Sequence, residues 1–140
     1  MEIEPVKIEG LKEFVANLKK IDGELPKAVR LAGNEAAGLV VSTAKKSVPL
    51  GPSRGGHARN SIKAKSTRTE ARVQGGGKRF AYYPWLDFGG RAGRNRKVRR
   101  PFIREGRYIF PAYSQHADEV VGRYVEALVD VARQAGIELD

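Results

Sequence analysis

The chain contains no cysteine. Disulfides, thiolate nucleophiles and cysteine-ligated zinc are therefore excluded. Histidine is nearly as scarce, with His57 and His116 alone. His116 has Ala112 at i−4 and Val120 at i+4, so no pair of ligands at that helical spacing forms around it. Also missing are a Gly-x-Ser-x-Gly step, a P-loop and a paired-carboxylate motif. Gly75-Gly76-Gly77-Lys78-Arg79 is basic and glycine-rich but lacks the Gly-Lys-Ser/Thr ending of a phosphate loop. No catalytic residue, metal or cofactor is expected, and the reading is of a protein that is not an enzyme. No apolar run reaches the roughly 20 residues that span a bilayer, so no membrane partner is expected either. The start, Met1-Glu2-Ile3-Glu4-Pro5, is acidic and has no apolar signal core. The cytoplasm is the expected place of synthesis.

The middle of the chain is short of negative charge. Residues 1–50 hold 8 Lys/Arg against 7 Asp/Glu, and residues 101–140 hold 4 against 7. Residues 51–100 hold 14 against 2, a balance of +12 in a chain whose net charge is +10. So uneven a distribution implies one face or protrusion that meets polyanions or acidic protein.

At 140 residues the chain fits one domain. Residues 2–8 read as a short edge strand, the position that Pro5 tolerates. Leu11, Phe14, Val15 and Leu18 follow i, i+3, i+4, i+7, which predicts a helix over 10–21, stopped by Asp22-Gly23. A second helix is predicted over 25–47, with Pro26 in its first turn and Pro49 beyond its end. Ala28, Gly33 and Ala37 keep it slim. Residues 49–59 read as a loop. Alternation in 61–66 and 70–74 predicts two half-buried strands joined at 67–69.

Residues 80–88 hold five of the eleven aromatics, and Pro84 there favours a bend or a single helical turn over a central strand. Residues 89–107 are basic and glycine-bearing and predict a protruding hairpin or loop. Residues 101–110 have β-like character through Phe102, Ile103, Tyr108, Ile109 and Phe110. The last helix is predicted over 112–135, with Ala117, Val121, Tyr124, Leu128, Val131 and Ala135 as its apolar stripe and Gly136 as its cap. The expected fold class is α+β: two N-terminal helices, a small antiparallel sheet with a protruding basic hairpin or loop, and a long C-terminal helix. Leu11, Phe14, Leu18, Val40, Val121, Tyr124 and Leu128 are the expected core.

The candidate contact residues are Arg91, Arg94, Arg96, Lys97, Arg99 and Arg100, six cations in ten positions. Three readings stand side by side: a solvated loop, docking to an acidic neighbouring subunit, and contact with DNA phosphates. Arg suits both sharper readings, because its planar fork pairs with carboxylate or phosphate through two hydrogen bonds. No aromatic interrupts the run, so base stacking is not expected. Among the aromatics, Tyr82, Tyr83 and Trp85 are candidate interface residues, with burial in the core as the competing reading. Asp87, alone between apolar residues, reads as a cap or as the partner of a nearby Arg.

Four segments in order resemble the tail-completion or head–tail connector proteins of siphophages, also called minor tail or neck proteins. They are Val6-Lys7-Ile8-Glu9-Gly10-Leu11-Lys12-Glu13; the Ala-rich helix ending Ala44-Lys45-Lys46-Ser47-Val48-Pro49, with Ala58-Arg59-Asn60-Ser61-Ile62 after it; Ala81-Tyr82-Tyr83-Pro84-Trp85-Leu86-Asp87-Phe88-Gly89; and Tyr108-Ile109-Phe110-Pro111-Ala112. The chain departs from the family at Leu50-Gly51-Pro52-Ser53, where members often carry Asp-Thr-Gly, and in its longer basic insertion around 90–106. The resemblance implies a virion protein that forms rings with its own copies. Its other implied partners are connector or stopper proteins and tail-terminator or tail-tube proteins, with non-specific contact to genomic DNA. The alternative expectation is a nucleic-acid-binding accessory protein that uses the 91–100 segment.

Overall fold

A computed structural model describes residues 2–6, 8–51 and 57–137, with the side chains of 2–6 and of Arg94 outside the description. The fold is α+β. Its elements are β1 (Glu2–Val6), α1 (Leu11–Ile21), α2 (Leu25–Ser47), β2 (Lys63–Ala64), β3 (Ala71–Gln74), α3 (Tyr83–Phe88), β4 (Gly90–Ala92), β5 (Val98–Arg100) and α4 (Ile109–Gln134). A 3-10 turn, Ala58–Ser61, precedes β2. The predicted loop over 49–59 lies outside the described residues from 52 to 56. Among the described residues no helix is long and apolar enough to cross a membrane.

Among the described residues there are two antiparallel sheets. The larger has the order β1-β3-β2, with Ile3 opposite Val73 and Ala64 opposite the same Val73 on the other side. Register slips between Ile3 and Val6, a local irregularity of the β1 edge. The smaller sheet is the β4–β5 hairpin, in which Gly90 faces Arg100, Arg91 faces Arg99 and Ala92 faces Val98.

The core lies where α2 meets α4 on one side and β2 and β3 on the other. The slim face of α2, made by Ala32, Gly33, Ala36, Ala37 and Ala44, is what lets these layers approach. Val29, Val40, Leu18, Ile62, Val73, Ile109, Val120 and Tyr124 are fully buried there. Burial of that apolar surface is the main stabilising term, worth about 25 cal/mol per Å². The buried serines are answered by neighbouring groups. Ser61 donates to the Ala58 carbonyl at 2.7 Å and accepts from the Gly76 N–H at 2.9 Å. The Asn34 side chain accepts from the Ser66 N–H at 2.8 Å.

Three expectations are corrected. Residues 101–108 form no strand, and α4 starts at Ile109, three positions before the predicted start. Val121 is 40% exposed, whereas its neighbour Val120 is buried, so the inward stripe of α4 is Val120, Tyr124 and Val131. Phe14 and Leu128 pack against the core from its rim and are not fully inside it. The helix closes as predicted at Gly136: its N–H bonds to the Arg133 carbonyl and the Ile137 N–H to the Ala132 carbonyl.

Candidate interaction site: a basic hairpin and its anchor

The hairpin is held by α3 and by the start of α4. The short helix α3 carries Pro84 in its first turn, which needs no N–H there. It ends at Gly89, whose backbone φ is +89 and whose Cα approaches the Pro101 carbonyl so closely that a Cβ would lie 2.1 Å from its oxygen. Only glycine fits both conditions. The Trp85 indole N–H donates to the Gly90 carbonyl at 3.1 Å, and the Ile103 N–H donates to the Phe88 carbonyl at 2.8 Å. These bonds fix both ends of the hairpin on α3.

Asp87 organises the junction. The residue is 1% exposed. It accepts from the Tyr83 hydroxyl at 2.9 Å, the Arg107 N–H at 2.7 Å and the Tyr108 N–H at 3.0 Å. The last two donors stand at the open N-terminus of α4, so Asp87 caps that helix from a distant part of the chain and meets the positive end of its dipole. Close approach requires Gly106, where a Cβ would lie 2.6 Å from the carboxylate oxygen. The expectation of a cap at Asp87 therefore holds. Arg107 also takes part through its side chain, which donates to the carbonyl of Asp87 at 3.0 Å and to the carbonyl of Pro101. Burial, then the charge and hydrogen bond of Asp87, raise the Tyr83 phenol far above its ordinary value, so it stays a donor.

The six candidate cations separate into distinct groups. Arg91, Arg96, Lys97 and Arg99 are exposed and have no ion-pair partner among the described residues. Arg91 and Arg99 face each other across the ladder, where like charges repel. Arg96 is at the tip in the left-handed region, with φ +53, next to Asn95 at φ +61. The side chain of Arg94 lies outside the described residues. Arg100 is half-buried and is held by groups of its own chain. Its guanidinium donates to the Tyr108 hydroxyl at 2.9 Å and lies 5.8 Å from the centre of the Trp85 ring.

Of the candidate aromatics, Tyr83 is fully buried and belongs to the core, which removes it from any surface of the folded chain. Trp85 is half-buried as the platform under Arg100, and Tyr82 is exposed, edge-on to Phe80 at 6.1 Å. Sequence reasoning missed Gly106, Arg107 and Tyr108. Their tie to Asp87 spans about twenty positions and leaves no short-range pattern.

The histidines lie elsewhere. The His57 ring nitrogen bonds to the Leu50 carbonyl at 2.7 Å. His116 stands 3.4 Å from Glu119, an i+3 partner that inspection of the i−4 and i+4 positions overlooks. Among the described residues no three His, Asp or Glu side chains gather as a metal-ligand set. No family model, curated protein or solved structure matches the chain.

Proposed function

We propose that this chain is a structural subunit of a long-tailed phage or prophage particle, one copy of a ring that joins or completes the tail at the head–tail interface. The observation that carries the reading is the hairpin: four exposed cations with no ion-pair partner among the described residues, presented on a support held by Asp87, Trp85, Arg100 and Arg107. A charged projection anchored at its base is suited to docking, because less loop freedom is lost when it binds. The ordered resemblance of four segments to tail-completion proteins supplies the particle. On this reading the partners are copies of the chain, a connector or stopper protein and a tail-terminator or tail-tube protein. The protein is made in the host cytoplasm, ends in the virion and performs no catalytic step.

A second reading, a nucleic-acid-binding accessory protein, is favoured by the same unpaired arginines, since phosphate answers them as well as carboxylate does. Replacing Arg91, Arg96, Lys97 and Arg99 by Ser separates the two. Electron micrographs of tails assembled with the wild-type chain should show rings at the head-proximal end, and the Ser variant should leave tails bare. The structural reading fails if the wild-type chain never decorates tails. The accessory reading gains if it then binds DNA with a salt slope of about −0.9 per phosphate contact.

A further inference from the structure

Residues of α2 and α4 line a groove of about 520 Å³. Its walls include the apolar Leu31 and Val131 and the charged Glu35, Arg123, Glu126 and Asp130. Leu31 is 51% exposed, an uncovered apolar side chain at the groove's edge. Arg123 is already answered by Glu119 at 3.7 Å, and Asp130 stands 3.9 Å from Arg133. Glu35 and Glu126 have no ion-pair partner among the described residues. The groove is thus acidic with an apolar wall. The hairpin is its complement, with unpaired arginines beside the exposed apolar Val98 and Phe102.

The two surfaces cannot meet within one chain. The hairpin is tied to Tyr108 at the start of α4, whereas Glu126 and Asp130 lie 18 and 22 residues further along the helix. The helix is kinked at His116, yet at 1.5 Å per residue the stretch beyond the kink, from Ala117, alone covers about 14 and 20 Å. Each hairpin strand has three residues, a reach of about 10 Å. We infer that the β4–β5 hairpin of one copy docks into the α2–α4 groove of a second copy, its arginines meeting Glu35 and Glu126 and its apolar residues meeting Leu31. Such a contact is head-to-tail. It leaves a free hairpin at one end and a free groove at the other, and repetition closes a ring when the rotation permits. It also supplies the negative charge that the facing Arg91 and Arg99 lack.

This inference rests on the reading of the chain as a self-assembling subunit, and the absence of cysteine makes it directly testable. An Arg99→Cys chain is mixed with a Glu126→Cys chain under mild oxidation. The mixed disulfide is expected to form about tenfold faster than with a Lys19→Cys control on α1, because docking raises the local concentration. In a second arm, Arg96→Glu/Arg99→Glu and Glu35→Lys/Glu126→Lys each abolish self-association in sedimentation, and mixing the two variants restores a heterotypic pair. Rings without preferred cross-linking overturn the docking contact and leave the ring reading intact. Preferred cross-linking with no ring on tails upholds the contact and sinks the ring reading. No cross-linking preference and no rescue by mixing overturn the contact whatever the oligomeric state.

Discussion

The carboxylate of Asp87 accepts a hydrogen bond from the backbone N–H of Tyr108, 3.0 Å away and 21 positions later in the chain. An internal residue of one short helix thus caps the longest helix of the molecule, and the basic hairpin is the segment looped out between them.

Asp87→Ala should destabilise the chain by about 2–4 kcal/mol, because α4 loses its cap and two backbone N–H groups lose their acceptor. Asp87→Asn keeps one acceptor oxygen and should cost less. Denaturant melts of the three proteins rank them. Equal midpoints would show that the α4 terminus is satisfied by other groups.

Alkaline pH should unfold the protein through its buried phenols. Burial, followed by Asp87, raises Tyr83; burial, followed by Glu70, raises Tyr124. The folded chain keeps these protons where the unfolded chain releases them, so their contribution is complete below about pH 10 and declines as pH rises past it. Phenolate absorbance should therefore stay silent for both until the fold is lost. The Tyr124 hydroxyl is buried with no hydrogen-bond partner among the described residues. Tyr124→Phe should accordingly flatten the alkaline decline while stability at neutral pH is kept or rises by about 1 kcal/mol. A large loss at neutral pH would reveal a bonded hydroxyl.

Two apolar truncations should differ sharply. Leu18 is fully buried, and Leu18→Ala should cost about 2–5 kcal/mol. Val121 is 40% exposed, and Val121→Ala should stay within about 0.5 kcal/mol. Thermal melts showing comparable losses would mean that α4 is rotated from the orientation described.

Arg96 holds a left-handed backbone that costs an ordinary side chain about 1 kcal/mol. Arg96→Gly should relieve that strain and raise the melting temperature, yet weaken assembly by removing a tip cation. A variant that is both more stable and fully competent in assembly would deny the side chain any part in binding.

Where local chemistry dominates, the sequence was legible. Asp22-Gly23 and Pro26 mark the break between α1 and α2, and both helices fall within the expected bounds. The two strands β2 and β3 pair across 67–69 as the alternation predicts. The start of α4 was not legible. Tyr108, Ile109 and Phe110 look β-like in isolation, and the acceptor that starts the helix there is Asp87, remote in sequence. Val120 and Val121 are adjacent and equally apolar, so periodicity alone could not choose which points inward. Arg100 differs from its neighbours only through Trp85 and Tyr108, which no charge count detects.

The larger sheet has one further consequence. Its outer strands are β2, two residues long, and β1, which carries Pro5 and a register slip. Neither offers a straight row of free amides and carbonyls onto which another strand could zip. A protein that must be concentrated at an assembly site runs the risk of fibril-like stacking, and these blunted edges oppose it. Association is thereby steered away from backbone pairing and toward side chains, whose specificity the sequence can set residue by residue.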